Sequence, residues 1–446
     1  MSDLLSIGAS GVRAYQTALA TVGENIANVG AAGYTRRTVR MNEVPGGSGS
    51  VNQYGAGNGV VLTGIVRAGD NYAAASLRAS TSDLSRTTSG ASWLDRVDGA
   101  LTGNALTARV TSFFAASQAL AAEPSSSALR TSMLSAAGSA ATAFTATGKA
   151  FDQVDADLDT AGRQAAVDMS SLSASLAGIN DGLGRAAPGS TAAAQLMDQR
   201  DQILAQVSGL ADVTATFDSI GRTTLTLTGA TGVPLVKGDQ VGTVAYARDT
   251  NGQASFSYTV NGVETAMSPS GGTMAGIIDG AQRVAANRDQ LNGIAADFVK
   301  TVNDNQAAGQ DQTGATGTAM FTVGTSPTDI SVALTSGSQI AAASPGGGSR
   351  DSSNLANLEA SRQSKGFEAA LASQITDNAT AYKQKMTIAD AQTSIRDGAQ
   401  TALSSASGVN LDSEAIDLMR FQQAYSASSR IIQVARETMQ SILDIR

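Results

Sequence analysis

The chain has 446 residues, of which 42% are hydrophobic, 15% charged and only 4% aromatic, and its formal net charge is −8. It contains no Cys and no His, which excludes disulfide frameworks, thiol nucleophiles, Ser/His/Asp triads and His-ligated metal sites. The acidic balance, with no clustered run of Lys and Arg, argues against nucleic acid as a partner.

The length implies two to four domains, because a single core stops growing well below it. With so few aromatics, Ala, Leu, Ile and Val must do most of the packing. The first residues, MSDLLSIGASGVRAYQTALATV, lack the basic start and unbroken apolar run of a secretory signal, and no window approaches the roughly 18 apolar residues of a membrane span. Neither a cleaved signal nor membrane insertion is expected.

In chain order, the first segment carries Leu5, Gly8, Val12, Tyr15, Leu19, Val22, Ile26 and Val29 at steps of three and four, a heptad seam. Next, Leu106, Val110, Phe113, Ser117 and Leu120 form a helical face that Glu123-Pro124 ends. A helix starting after 125–127 then runs through Leu129, Met133, Phe144, Phe151, Leu158, Leu172, Leu176 and Leu183 to Pro188-Gly189, long enough to suggest an elongated bundle. Further helices are marked by Leu196, Ile203, Leu204 and Val207, by Ile277, Val284, Leu291, Phe298 and Val302, and by Phe367, Leu371, Ile375, Tyr382 and Ile395. From 213 to 263 the period changes to two, with Leu225 and Leu227 alternating with threonines and with turn pairs Asn251-Gly252 and Asn261-Gly262. These local turns read as an autonomous β insertion. Residues 305–350 are polar and Gly-rich, with a short strand at 330–334, and are expected to be a loop or small subdomain. The last segment repeats the seam with Leu418, Phe421, Tyr425, Ser428, Ile432, Ala435, Met439 and Ile442. Seams at both ends point to pairing of the termini.

The fold expected is mainly α: terminal coiled-coil helices over 1–45 and 404–446, an elongated helical domain over 46–211 and 272–403, and a small inserted β domain over 212–271. No active site assembles. Gly55, Gly57 and Gly59 resemble part of a dinucleotide loop, but β-branched residues follow where a helix is required. Asp304, Asn305 and Asp311 lack EF-hand spacing and read as a solvated loop. No Ser-x-x-Lys occurs. The run Asp198-Gln199-Arg200-Asp201 reads as a solvated, self-paired helix face. No catalytic residue, cofactor or metal is expected.

Two motifs carry a family resemblance. NIANVGAAGYTRRTV (25–39) resembles the amino-terminal signature of flagellar rod, hook and hook-associated proteins, with Asn25, Asn28, Gly33, Tyr34 and Arg36 as the matching positions. Asn28 and Gly33 suit the turn that ends the helix, and Tyr34 and Arg36 can anchor the exit. SGVNLDSEAIDLMRFQQAYSASSRIIQVARETMQSIL (407–443), with Asn410, Leu411, Gln422 and Gln423, resembles the carboxy-terminal signature of the same group. Phe421-Gln422-Gln423, LMDQRDQIL (196–204) and GNGVVLTGIVR (57–67) are similar to the hook-associated protein 1 family rather than to hook or distal-rod subunits, the alternative within the group; a secreted adhesin would need a larger β region. The resemblance implies a non-enzymatic, self-assembling subunit at the hook tip, exported without a cleaved signal to the hook-filament junction outside the cell. Its implied partners are the hook protein, hook-associated protein 3, copies of itself in a ring, and an export chaperone on the C-terminal helix. The assembly interface implied is the seam: Leu5, Val12, Tyr15, Leu19, Val22 and Ile26 with Leu418, Phe421, Tyr425, Ile432, Met439 and Ile442.

Overall fold

The computed structural model describes residues 2–44, 59–228 and 233–444. In order, these form α1 (Ser2–Ala27), the strands β1 (Arg37–Glu43) and β2 (Val60–Arg67), and the helices α2 (Asn71–Thr102), α3 (Leu106–Ala122), α4 (Ser127–Arg185) and α5 (Thr191–Leu210). Strands β3 (Val213–Phe217), β4 (Thr223–Leu227), β5 (Val236–Lys237), β6 (Gln240–Val241), β7 (Thr243–Arg248), β8 (Ala254–Val260) and β9 (Val263–Met267) follow. Then come α6 (Gly272–Ala308), β10 (Phe321–Val323), β11 (Ile330–Val332), α7 (Ser353–Lys365), α8 (Phe367–Ser407) and α9 (Leu411–Leu443). The fold is mainly α, with long helices at both ends and small antiparallel sheets.

The spine is α4, a single helix of 59 residues. It begins where Ser126 accepts a hydrogen bond from the Leu129 amide, one of the first-turn donors that no carbonyl can reach. Helices α2, α3, α5 and α6 pack against it, and α7 and α8 pack in turn on members of that group. At the centre lies Phe298 of α6, fully buried, with ring centroids 5.3–6.0 Å from Phe113, Phe114, Phe144, Phe321 and Phe367. Half of the ten phenylalanines in the chain therefore surround a sixth, so the scarce aromatics are concentrated where they bury most area. Elsewhere helices approach over glycine: a Cβ on Gly280 of α6 would stand 2.3 Å from the Trp93 ring of α2.

The strands over 213–267 do not form a body of their own. They make a four-stranded sheet β3-β4-β5-β6 and a three-stranded sheet β7-β8-β9, and the expected turns are present: Asn261 (φ 50°) and Gly262 (φ 79°) form the two-residue connection between the paired residues Val260 and Val263. Their inner faces, Leu225, Leu227, Phe256 and Tyr258, belong to the same buried cluster as the helices. The fully buried Asn180 of α4 donates to the carbonyls of Thr223 and Gly238 and accepts from the Thr223 amide at 2.7 Å. Ser170 of α4 accepts from the Val244 amide, Tyr246 donates to Asp159, and Arg248 pairs with Asp155. Local turn residues close hairpins, but the apolar faces of these sheets are covered by α4, α5 and α6, so the reading of an autonomous insertion is corrected.

Four further expectations change. Helices α2 and α7 and the β1–β2 hairpin escape the periodicity reading: α2 is rich in Ser, Thr and Ala, and its buried face includes Ser80, Ser82, Thr87 and Gly90, which carry no apolar signal. Of the two forms expected for residues 305–350, loop or small subdomain, the loose loop is ruled out, since Arg130, 2% exposed, donates to the carbonyls of Pro124, Gly337 and Ile340 and ties the segment to α4. Asn305 lies on α6, donating to the Asn354 carbonyl, while Asp304 pairs with Lys300 on the same helix. Val29 lies beyond the end of α1. Gly55 and Gly57, together with the start of the 57–67 motif, lie outside the described residues. Among the described residues no helix is long and apolar enough to cross a membrane.

Candidate functional site

Helices α1 and α9 lie side by side and antiparallel: Gly8 faces Ile432, Gly11 faces Ser428, the Tyr15 and Phe421 rings stand 6.3 Å apart, and Asn25 meets Glu414. The buried line of α1 is Gly8, Gly11, Ala14, Ala18, Thr21, Val22 and Asn25. It is one position away from the line expected: Leu5, Val12, Tyr15, Leu19 and Ile26 are half-buried flanks, and only Val22 among the large residues is fully covered. Small residues win the centre because they let the backbones approach closely, leaving their larger neighbours to close over the sides. On α9, Leu418, Phe421 and Ile432 are half-buried and Tyr425 is exposed. Met439 and Ile442, both about half exposed, lie at and beyond the end of the pair, because α1 begins at Ser2.

A second apolar stripe lies roughly 120° round α9 at 3.6 residues per turn. It comprises Ile416, Met419, Ile431 and Val434, with Gln423 and Ala427 between them, at steps of three and four. Among the described residues nothing covers it: Ile416 is 63% and Val434 58% exposed. Met419, Gln422, Gln423, Ser426, Ala427 and Arg430 line a shallow groove along this face, so the two glutamines of the C-terminal motif stand at its edge.

The N-terminal motif builds a buried polar hub where the helix pair joins the rest. Asn28 turns its side chain back to the Glu24 carbonyl and ends α1; Gly33 (φ 75°) then passes so close to Gln202 of α5 that a Cβ would meet its amide at 2.2 Å. Asn25, 1% exposed, uses every side-chain group: its amide nitrogen donates to the Arg37 carbonyl (2.8 Å) and to Glu414 Oε2 (2.9 Å), and its oxygen accepts from Tyr34 Oη (2.8 Å) and the Arg37 amide (3.0 Å). Burial lifts the Tyr34 phenol above its ordinary value, against the pull of Arg37, which keeps it a donor. Glu414, fully buried at the first turn of α9, also receives Arg36 Nε at 2.6 Å, and Arg36 reaches Asp417 at 3.3 Å. Asn410 caps α9 by accepting from the Ser413 amide, while Leu411 behind it is exposed.

The hub continues into α5. Asp198 accepts from Arg37 Nη2 and Arg67 Nε, both at 2.8 Å, and Arg67 also reaches Asp201 at 2.7 Å. Arg200 pairs with Asp201, stacks 4.1 Å from the Phe217 ring centroid, and donates to the Gly221 carbonyl. Burial pulls its guanidinium below the ordinary value while Asp201 opposes this. Asp198 and Arg200 are only 7% and 5% exposed, so the reading of 198–201 as a solvated face is corrected: Arg200 does pair with Asp201 within the run, but Asp198 and Asp201 also bind Arg37 and Arg67 of the hairpin in a buried hub. Sequence reasoning also missed Glu24, Arg37, Arg67 and Glu414. For Glu414 a signal existed, since an acid stands in the seam position one turn before Leu418.

The family model of the flagellar hook-associated protein FlgK helical domain matches residues 92–321, more than half of the chain. The chain belongs to the flagellar hook-associated protein FlgK family. The carboxy-terminal model of flagellar basal body rod FlgEFG proteins matches residues 399–445, which include all of α9. Flagellar hook-associated protein 1 of Salmonella typhimurium is 26% identical over 339 residues, and that of Escherichia coli K12 is 26% identical over 346. In each case 73% of this chain and 60% of the relative are covered, so the chain spans about 60% of the length of these relatives. The flagellar hook junction protein FlgK of Burkholderia pseudomallei has the same fold, with a TM-score of 0.64 at 14% identity over 74% of this chain and 99% of that one.

Proposed function

We propose that this protein is a structural subunit of the bacterial flagellum that assembles at the hook tip as the hook-filament junction adaptor, with no catalytic activity. The observation that carries this reading is the two-sided character of α9, one face on α1 and the other an unpartnered apolar stripe. A helix with apolar faces in two directions needs neighbours in two directions, and the described residues of one chain supply only one. Copies of the same chain in a ring, joined through coiled-coil contacts of the termini, would cover the stripe, with the hook protein below and hook-associated protein 3 above. Export through the flagellar apparatus without a cleaved signal, with a chaperone on α9 beforehand, fits an apolar helix that must stay covered until assembly. Membership of the hook-associated family supports the same conclusion.

The test replaces Ile416 and Val434 by Asp and expresses the variant in a strain lacking the native protein. Both side chains are exposed in the single chain, so thermal unfolding of the purified variant should match the parent. In an assembly the same carboxylates would be buried without partners, a cost of several kcal/mol. The expected phenotype is non-motile cells carrying hooks without filaments by electron microscopy. Normal filaments on normal hooks would refute the assignment.

A further inference from the structure

We propose that Asp198 is the positioning residue that locks the terminal helix pair to the helical body, by holding both arginines at the base of the β1–β2 hairpin. Arg37 and Arg67 stand directly opposite each other in the antiparallel register. Like charges at such a pair push the strands apart. Asp198 divides its carboxylate between them, one oxygen to each at 2.8 Å. The hairpin base is thereby closed by α5, an element of the body.

The rest of the hub hangs from that closure. The Arg37 amide and carbonyl bind Asn25 of α1, Asn25 and Arg36 bind Glu414 of α9, and the Arg36 amide donates to the Ser407 carbonyl at the end of α8. An unbroken run of hydrogen bonds thus links α5 to both terminal helices through residues 34–37. The other charges in reach do not replace Asp198. Glu24 is 3.3 Å from Arg37 but 44% exposed in its side chain, and Asp201 is shared between Arg67 and Arg200. A second tie is backbone only: the Ile65 amide donates to the Gly189 carbonyl at 2.7 Å, where Gly64 and Gly189 touch. That contact lies two residues from the arginine pair, and a further tie from α5, Gln202 Nε2 to the Ala32 carbonyl at 2.8 Å, lies before residue 34, so neither neutralises the paired arginines as Asp198 does.

The chain has no native cysteine, so spin labels can be placed through Gln433→Cys on α9 and Ser135→Cys on α4, both exposed. Double electron–electron resonance on the full chain should give one narrow distance distribution. In Asp198→Asn the distribution should broaden at least twofold, with amide exchange accelerated over 34–44 and 59–68 and unchanged in α4 and α6, which shows that the body remains folded. The variant Arg37→Met/Arg67→Met/Asp198→Leu should narrow the distribution again, because a buried ionic group replaced as a whole by apolar side chains leaves no charge uncompensated. A distribution as narrow in Asp198→Asn as in the parent overturns the proposal, as does a broad one in the parent. Failure of the triple variant to narrow it would equally show that charge neutralisation is not the lock.

Discussion

Alanine at Gly8 and alanine at Gly23, both in α1, should have opposite effects, and the geometry gives the size of each. In a helix interior Gly→Ala contributes roughly 0.8–1 kcal/mol through backbone entropy. Gly23 is exposed, and nothing lies within 4 Å of a Cβ built there, so the substitution should realise that gain in full. At Gly8 the new carbon would stand 2.7 Å from Ile432 Cγ1 and 3.3 Å from the Ser428 carbonyl oxygen, inside the ordinary 3.5–4.0 Å contact distance. Ile432 can rotate but the carbonyl cannot, so α9 must shift away. Gly11 adds to this, with its Cβ 2.6 Å from Ser428 Oγ. Overpacking of this kind costs about 1–3 kcal/mol against the gain of roughly 0.8–1 kcal/mol, which should leave a net loss of about 1 kcal/mol for Gly8→Ala. Amide exchange along α1 in the full chain reads both: about fivefold slower in Gly23→Ala and about fivefold faster in Gly8→Ala, since 1.4 kcal/mol is a factor of ten. If Gly8→Ala slowed exchange as Gly23→Ala does, close approach of the backbones would not be what holds this pair.

Three other outcomes follow from the body of the protein. Phe298→Ala should cost about 3–5 kcal/mol in denaturant unfolding, because five aromatic neighbours lose their common partner; a loss below 1 kcal/mol would show that the cluster collapses onto the gap. Asn180→Leu should cost about 2–4 kcal/mol and speed amide exchange at Thr223, since it orphans a buried amide and two carbonyls at once; unchanged exchange there would mean that the sheet does not depend on α4. Partial burial and the neighbouring Asp212 raise the Asp83 carboxyl above its ordinary value against the pull of Arg86, so the folded state favours its protonated form and stability is lost as pH rises through the folded value. Asp83→Asn should therefore raise the melting temperature at pH 7, with the gain vanishing below the unfolded value near 3.9; an equal gain at pH 2.5 would assign it to something other than charge.

Much of the architecture is written locally. Helix α4 could be read from the apolar period between Ser126 and Pro188, and the β8–β9 turn from Asn261-Gly262, because capping, proline and positive φ act within a few residues. The pairing of the two ends was legible too, since a seam stripe announces that a partner is needed. Most of the residues that form its centre were not: beyond Gly8 and Val22, which the seam already held, the hydrophobic period marks large side chains, while the approach of two backbones selects Gly11, Ala14 and Ala18, which carry little hydrophobic signal of their own.

The sequence by itself determined most of the helices, the turns of the 213–267 strands, the exclusion of cysteine and histidine chemistry, and the two motifs that resemble the flagellar signatures. Only the tertiary structure decided what the charged residues do. Asp198 looks the same as any acid in a solvated run of alternating charge until Arg37 and Arg67, more than a hundred residues away, are brought against it. Glu414 looks the same as any acid in a first helical turn until Asn25 and Arg36 enclose it. Burial of a charge is a property of what surrounds it, and its neighbours here come from four distant segments that meet only once the chain has folded.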